Sequence, residues 1–235
     1  FGGNLRSIVL GGAALSRPVE EVVKKIGLPY TVGYGMTECA PLIGYSPWES
    51  FRLGSCGRAT DNVEVRIDSE DAQRKVGEIQ VRGDNVMQGY YKNPEATAAA
   101  FTDDGWLRTG DLGIIDKKGN IFIKGRSKCM ILSANGQNIY PEEIEAKLNN
   151  LEAVVESLIF KADDGKLVAL VVPNYELAQK EGWSTTHLKE VMAENLTKLN
   201  TLVAPYEKVA DIKLCATEFE KTPKRSIKRF LYQDK

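Results

Sequence analysis

An α/β unit that runs into a β-rich stretch and then a small α+β unit is the fold class the sequence predicts, on three observations. A strand–helix–strand order opens the chain; short β-like runs punctuated by Gly and Asp-Gly turns fill the middle, from about Gly54 to Ile123; and helical and apolar runs mix after Gly125-Arg126. The first strand is Ile8-Val9-Leu10. Gly11-Gly12-Ala13-Ala14-Leu15 then turns, and Ser16 with Pro18 opens a helix over Val19 to Ile26 in which Val19, Val22, Val23 and Ile26 keep one apolar face. Leu28–Val32 reads as the next strand. This order and spacing predict a parallel pair, whose ligands sit beyond the carboxyl ends of the strands, where Gly11–Ala13 and Gly33–Glu38 fall.

The middle stretch contributes Val63–Ile67, Gly77–Arg82 and Ile114–Ile115 as strands of a mainly antiparallel subdomain, with turns at Asp104-Gly105 and Lys118-Gly119. Asn93–Phe101, with Pro in its first turn and an Ala-rich body, is one short helix. The last stretch predicts a helix from Pro141 to about Leu148, strands near Val154–Phe160 and Leu167–Val172, a helix from about Thr185 to Leu199 and a strand near Val209–Leu214. The expected organisation is thus 1–53, 54–124 and 125–235, with the boundary near Lys124–Lys128. Phe1 is not an initiator Met and leads almost directly into a strand, so the chain is expected to be a piece of a longer one.

Composition bounds the chemistry. The 235 residues are 43% hydrophobic, 27% charged and 8% aromatic, a globular balance. Lys and Arg (31) against Asp and Glu (32) leave a formal charge of −1, which argues against a nucleic-acid or anionic-membrane surface. Cys39, Cys56, Cys129 and Cys215 are scattered, and His187 is the single histidine, so neither a zinc site nor imidazole-assisted nucleophilic catalysis is expected. No apolar run approaches a membrane span, and a reducing, cytoplasmic setting is the default. His187, in a Ser-Thr-Thr-His helix start, is expected to be exposed. Cys129 reads as a plain small residue unless Lys128 lowers its pKa.

Three loops carry groups suited to chemistry. Tyr34-Gly35-Met36-Thr37-Glu38 sets a hydroxyl and a carboxylate side by side after a predicted strand, with glycines that admit a ligand; Thr37 could donate to a phosphate and Glu38 could ligate Mg²⁺. A Gly-rich turn with a polar pair more often has a purely structural role. Trp106–Asp111 places a carboxylate after a Gly in a short turn, suited to the vicinal hydroxyls of a ribose or to a simple Asx-turn. Gly125-Arg126-Ser127-Lys128 puts a phosphate-pairing Arg at the proposed boundary, or a solvated one.

Taken together and in order, Gly-Gly-Ala-x-Leu, Tyr-Gly-x-Thr-Glu, Gly-Glu-Ile-x-Val-x-Gly with Gly89–Tyr91, Thr-Gly-Asp, Gly-Arg-Ser-Lys and Gly136–Glu145 closely resemble the adenylate-forming superfamily of acyl-CoA synthetases, adenylation domains and luciferase. The Asn-Gly-Gln-Asn-Ile-Tyr-Pro-Glu-Glu-Ile-Glu form looks most like bacterial long-chain fatty acid–CoA ligases. The resemblance implies the distal part of an AMP-binding domain followed by a mobile C-terminal domain, and the substrates and cofactors ATP, Mg²⁺, CoA and a fatty acid. It implies that Gly11, Gly12 and Ala13 frame the adenine and acyl pocket, and that Tyr34, Gly35, Met36 and Thr37 contact adenine and the α-phosphate. Glu38 matches the Mg²⁺ ligand, Asp111 the ribose carboxylate, Arg126 a ribose or phosphate contact, Lys128 the hinge, and Gly136 the loop that enters the pantetheine tunnel.

Two departures qualify that implication. The glycine-rich loop that holds the β- and γ-phosphates is absent from the 235 residues, so the chain alone is expected not to complete adenylation and to need the missing N-terminal part as its partner. The lysine expected to reach the α-phosphate aligns with Ser226. If the segment is extended, Lys224, Ser226 and Lys228 share a face, and Lys228 or Lys224 could substitute; a solvated basic tail is the alternative. The rival functions are loading of a carrier protein instead of free CoA, and a non-catalytic nucleotide- or CoA-binding module.

Overall fold

Strands β1 (Ile8–Leu10) and β2 (Tyr30–Val32) pair in parallel around α1 (Arg17–Lys25), with Ile8 opposite Tyr30, in the computed structural model. The model describes residues 2–12, 15, 17–223 and 226–232, so Ala13, Ala14, Ser16 and Lys224 lie outside the described residues. Both strands end at one edge, where the Gly33 N–H donates to the Leu10 carbonyl at 2.8 Å. The apolar stripe of α1 does not face inward: Val19, Val22 and Ile26 are 47%, 57% and 64% exposed, whereas Glu20 is buried. The physical reason is a pair of non-local polar contacts. Glu20 Oε1 accepts the Gly54 N–H at 2.9 Å, and its carbonyl accepts the Tyr30 hydroxyl, so the polar side of the helix is the side held against the strands.

β3 (Tyr34–Gly35), β4 (Leu42–Tyr45) and β5 (Arg58–Ala59) form a small antiparallel sheet. β6 (Val63–Asp68), β7 (Gly77–Gly83), β8 (Leu107–Ile115) and β9 (Ile121–Arg126) form a meander in that order around Ile79, Val81, Leu107 and Ile121. α2 (Pro94–Ala100) is capped by Asn93, whose side chain accepts the Ala96 N–H at 3.0 Å. The expected strand at Ile114–Ile115 is the end of a longer one, and Asp111 lies within that strand instead of in a free turn. Between the pairs Gln80–Arg108 and Glu78–Leu112 three residues of β8 oppose one of β7, and Gly110 takes φ +71° there, so the Thr-Gly-Asp signal marks a bulge.

The chain divides into two compact units, Phe1–Lys128 and Cys129–Lys235. In the second, β10 (Ile131–Leu132) and β11 (Asn138–Ile139) make a hairpin whose loop holds Gly136 at φ +78°. α3 (Pro141–Leu148) follows, then β12 (Val154–Lys161), β13 (Leu167–Pro173), α4 (Tyr175–Lys180), α5 (Thr185–Leu202) and β14 (Val209–Leu214). β13 is central, antiparallel to β12 and parallel to β14. Its continuous apolar run is buried on both faces: Leu167, Ala169 and Val171 pack in a core with Ile144, Leu188 and Leu199, and the alternate residues Val168, Leu170 and Val172 pack with Phe160 and Phe219.

The extended reading of the C-terminal segment is not what forms. Lys221 bridges Ile227 and the Thr222 N–H donates to the Ser226 carbonyl, so the chain reverses direction and Lys228 comes back beside Glu220, its Nζ 3.0 Å from the carboxylate. Backbone pairing and a Lys221–Glu156 ion pair at 2.9 Å favour the reversal. Arg229, the next residue, is drawn into the unit, where its guanidinium pairs with the buried Glu145. No helix among the described residues is long and apolar enough to cross a membrane.

Candidate active site

Gly35 makes the first turn of the site possible. Its neighbours are so close that a Cβ there would lie 2.1 Å from the Pro41 carbonyl oxygen, and the same carbonyl accepts the Met36 N–H at 2.8 Å. Thr37–Cys39 then coil into one 3-10 turn, closed by Ala40 in the left-handed region at φ 52°. Two neighbours pin this turn: the Asn85 amide donates to the carbonyls of Cys39 and Leu42, and the Met87 N–H donates to the Glu38 carbonyl at 2.8 Å. Thr37 is left exposed and Glu38 half-buried.

Glu38 Oε1 accepts the Tyr90 hydroxyl at 3.1 Å, and burial followed by the Glu38 charge raises the pKa of that phenol. Tyr90 therefore stays a neutral donor that orients the carboxylate. One carboxylate beside one hydroxyl is a donor set that fits Mg²⁺, a hard ion that retains most of its waters and takes one or two carboxylates. No cluster of three His, Cys, Asp or Glu side chains able to hold a metal occurs among the described residues.

Tyr34 ties this loop to Asp111, 77 positions away: its buried hydroxyl donates to Asp111 Oδ2 at 2.7 Å. Burial first and then the Asp111 charge push the Tyr34 phenol far above its ordinary value, so it donates and does not ionise. The other carboxylate oxygen, Oδ1, lies 2.8 Å from Arg126 Nε, and Arg126 Nη1 donates to the Thr109 carbonyl at 3.3 Å. The bulge makes this possible by facing Asp111 across the β8–β9 ladder at Arg126, its register partner. Asp111 is buried while the Arg126 side chain is 57% exposed, so the array grades from an enclosed acceptor to a solvent-facing cation.

Structure therefore joins Tyr34, Asp111 and Arg126 directly and sets Gly35, Met36, Thr37 and Glu38 on the loop that begins at Tyr34. Gly11 and Gly12 are exposed at the end of β1; a Cβ on Gly11 would lie 3.7 Å from the Gly33 carbonyl, and Gly12 is left-handed at φ +86°. Lys128 is exposed in the 3-10 turn Ser127–Cys129, where the two units divide. Gly136 and Lys228 belong to the second unit and are described with it. Burial pushes the Cys129 thiol up to about 11, with Glu142 adding to the rise, which fits the plain small residue. His187 is exposed, as expected, three residues after the Ser184 cap. Sequence reasoning placed Tyr90 in a motif without a role; its contact with Glu38 spans 52 positions and has no local signature.

Comparison with known proteins agrees with this arrangement. Residues 1–91 match the AMP-binding enzyme family and residues 128–234 match the AMP-binding enzyme C-terminal domain. The chain is 36% identical over 209 residues to a 2-succinylbenzoate–CoA ligase of Bacillus velezensis, covering 87% of this chain and 42% of that protein. It is 37% identical over 180 residues to long-chain-fatty-acid–CoA ligase 4 of Saccharomyces cerevisiae, covering 74% of this chain and 26% of that protein. Among solved structures, o-succinylbenzoate CoA synthetase (MenE) from Bacillus subtilis in complex with the acyl-adenylate intermediate OSB-AMP superposes with a TM-score of 0.81 at 30% identity over 98% of this chain and 46% of that one. ATP-bound MatB from Rhodopseudomonas palustris superposes with a TM-score of 0.77 at 28% identity, over 96% and 44%. The chain thus spans about two-fifths of the length of the bacterial relatives it matches. Matched in sequence across both of its units and in fold over nearly all of its length, the chain belongs to the adenylate-forming superfamily of AMP-binding enzymes.

Proposed function

We propose that the chain supplies the adenylate-holding and thioester-forming parts of an ATP-dependent acyl-CoA ligase, which joins a fatty acid to AMP with release of pyrophosphate and then transfers the acyl group to the thiol of CoA. The observation that carries this reading is the Tyr34–Asp111–Arg126 array fastened to the Thr37–Glu38 turn. Asp111 accepts hydrogen bonds from the ribose hydroxyls, and Tyr34 and Arg126 hold its carboxylate in place for them. Thr37 donates to an α-phosphate oxygen. Glu38, oriented by Tyr90, would hold Mg²⁺, which offsets phosphate charge as pyrophosphate leaves. In the second unit Lys228, by exchanging its exposed Glu220 partner, 3.0 Å away, for a phosphate, takes the place of the cation that Ser226 cannot supply, and Gly136 keeps the hairpin loop open to a thiol-bearing arm. Lys128 serves as the pivot between half-reactions, and ATP, the acid and CoA are the substrates.

The test appends the glycine-rich phosphate loop and its domain to this chain and measures acid- and CoA-dependent release of AMP and pyrophosphate. Activity with long-chain acids supports the reading; inactivity across acids of every length and shape overturns it. The relatives at 36–38% identity named as 2-succinylbenzoate–CoA ligases favour an aromatic dicarboxylate as second reading, so that acid belongs in the same panel. Lys228→Ala is expected to depress acid-dependent pyrophosphate exchange more than thioester formation from preformed acyl-adenylate.

A further inference from the structure

We infer that Glu78, together with Thr109, is a positioning residue for Asp111: the two side chains hold the β8 bulge in the shape that turns the Asp111 carboxylate toward Tyr34 and Arg126. The inference rests on the reading of Asp111 as the ribose acceptor. Glu78 belongs to the Gly-Glu-Ile-x-Val-x-Gly stretch that forms β7. Ile79 and Val81 are fully buried in the core of the meander, whereas Glu78, on the opposite face of the strand, meets the bulge.

A bulge takes residues out of the ladder. Thr109, Gly110 and Asp111 all lie opposite Ile79, so β7 carbonyls cannot match every one of their N–H groups. Side chains make up the shortfall. Glu78 Oε1 accepts the Gly110 N–H at 3.2 Å, and Thr109 Oγ1 accepts the Asp111 N–H at 3.1 Å while its own hydroxyl donates to the Ile79 carbonyl at 2.7 Å. Glu78 is itself steadied by Arg108, the residue just before the bulge, whose Nη1 lies 3.2 Å from Oε2. These bonds fall on both peptide groups that flank Gly110. At φ +71° a glycine is the residue about which those groups turn most freely, and it directly precedes Asp111. With both peptides held, the carboxylate keeps the direction in which the Tyr34 hydroxyl reaches Oδ2 at 2.7 Å and Arg126 Nε lies 2.8 Å from Oδ1. Glu78 thus acts on Asp111 through the backbone.

The compound 2′,3′-dideoxy-AMP lacks the two hydroxyls that Asp111 accepts, so its affinity relative to AMP reads the direction of the carboxylate. Calorimetric titration of the 235-residue chain is expected to show AMP bound about tenfold or more tightly than the dideoxy compound, the effect of hydrogen bonds to a charged acceptor. Glu78→Ala should reduce that preference to about threefold or less, and Glu78→Gln, which keeps an oxygen for the Gly110 N–H, should restore it. Thr109→Val should act like Glu78→Ala, and Thr109→Ser like the parent. A second readout needs no ligand. In a ¹H–¹⁵N spectrum at pH 6 the Arg126 Nε–H signal, moved downfield by its bond to Asp111, should shift toward that of a free guanidinium in Glu78→Ala and stay in place in Glu78→Gln. The inference is overturned if Glu78→Ala leaves that signal in place, or if it weakens AMP and the dideoxy compound alike and so keeps the parent preference, as a merely structural carboxylate would. If the parent chain does not distinguish the two nucleotides, the ribose reading of Asp111 fails instead, and the Arg126 signal alone decides the role of Glu78.

Discussion

Arg229→Met removes one half of an ion pair that the second unit encloses. The Arg229 side chain is 18% exposed and that of Glu145 is 9% exposed; besides the guanidinium, Glu145 accepts the Ile159 N–H at 2.6 Å. Deleting the guanidinium strands a buried carboxylate near that of Glu142, which Arg229 also faces at 3.8 Å, with that backbone donor for support, and breaking a buried pair from one side costs about 3–5 kcal/mol. The retained N–H puts the expected loss at the lower end, about 3 kcal/mol, or a fall of about 12–24 °C in the melting temperature of a unit this size. The pH dependence has a definite sign. Burial raises the pKa of Glu145 above its ordinary value and Arg229 opposes the rise, so the variant's carboxyl is raised further. A carboxyl raised in the folded state favours folding fully below its unfolded pKa, and that contribution is lost as pH climbs through the folded value. The gap between variant and parent should therefore be wider at pH 8 than at pH 5. Differential scanning calorimetry at both pH values reads it from the transition of the Cys129–Lys235 unit, and Glu145→Gln combined with Arg229→Met should recover part of the loss. A variant within about 1 kcal/mol of the parent at pH 8, or a gap that widens in acid, would refute the reasoning.

Tyr34→Phe should destabilise the first unit by about 1–3 kcal/mol, read by urea unfolding, because Asp111 Oδ2 loses the buried hydroxyl that donates to it. The same variant should weaken AMP binding, whereas Arg126→Lys, which keeps the charge but not the Nε contact, should weaken it less. Gly35→Ala should cost more than either, about 3 kcal/mol or above, since the added methyl meets a backbone carbonyl that cannot swing aside. Maleimide labelling of Cys39, Cys56 and Cys129 should be slow at pH 7.5 and accelerate only above pH 9, because burial pushes all three thiols up to about 11.

What the sequence made legible was periodic or local. The β1–α1–β2 unit, the Asn93 cap, and the α3, α5 and β14 segments all announce themselves through spacing, Pro at a first turn, or a polar cap. α4 escaped notice because six residues complete less than two turns, and its one signal is Asn174, whose side chain caps the Leu177 N–H. The direction of the α1 stripe could not be read, because periodicity reports that an apolar face exists, not what lies against it; a buried Glu20 decided the matter through a bond to Gly54, 34 positions away. The same holds at the candidate site. Tyr34, Asp111 and Arg126 were each visible as residues, but their mutual contact depends on a bulge that a Thr-Gly-Asp string does not distinguish from a turn. The course of the tail is fixed at similar range: Lys221 is anchored on Glu156, 65 positions earlier, and bridges Ile227, which returns Lys228 to Glu220, and no local pattern signals either contact.

The outward stripe of Val19, Val22 and Ile26 has a practical consequence at the bench. Oily side chains one turn apart on a solvent-facing helix are expected to make copies of the chain adhere at high concentration. Light scattering should rise with protein concentration and with kosmotropic salt, and a single Val22→Lys change should suppress it, giving a better-behaved sample for the titrations proposed above.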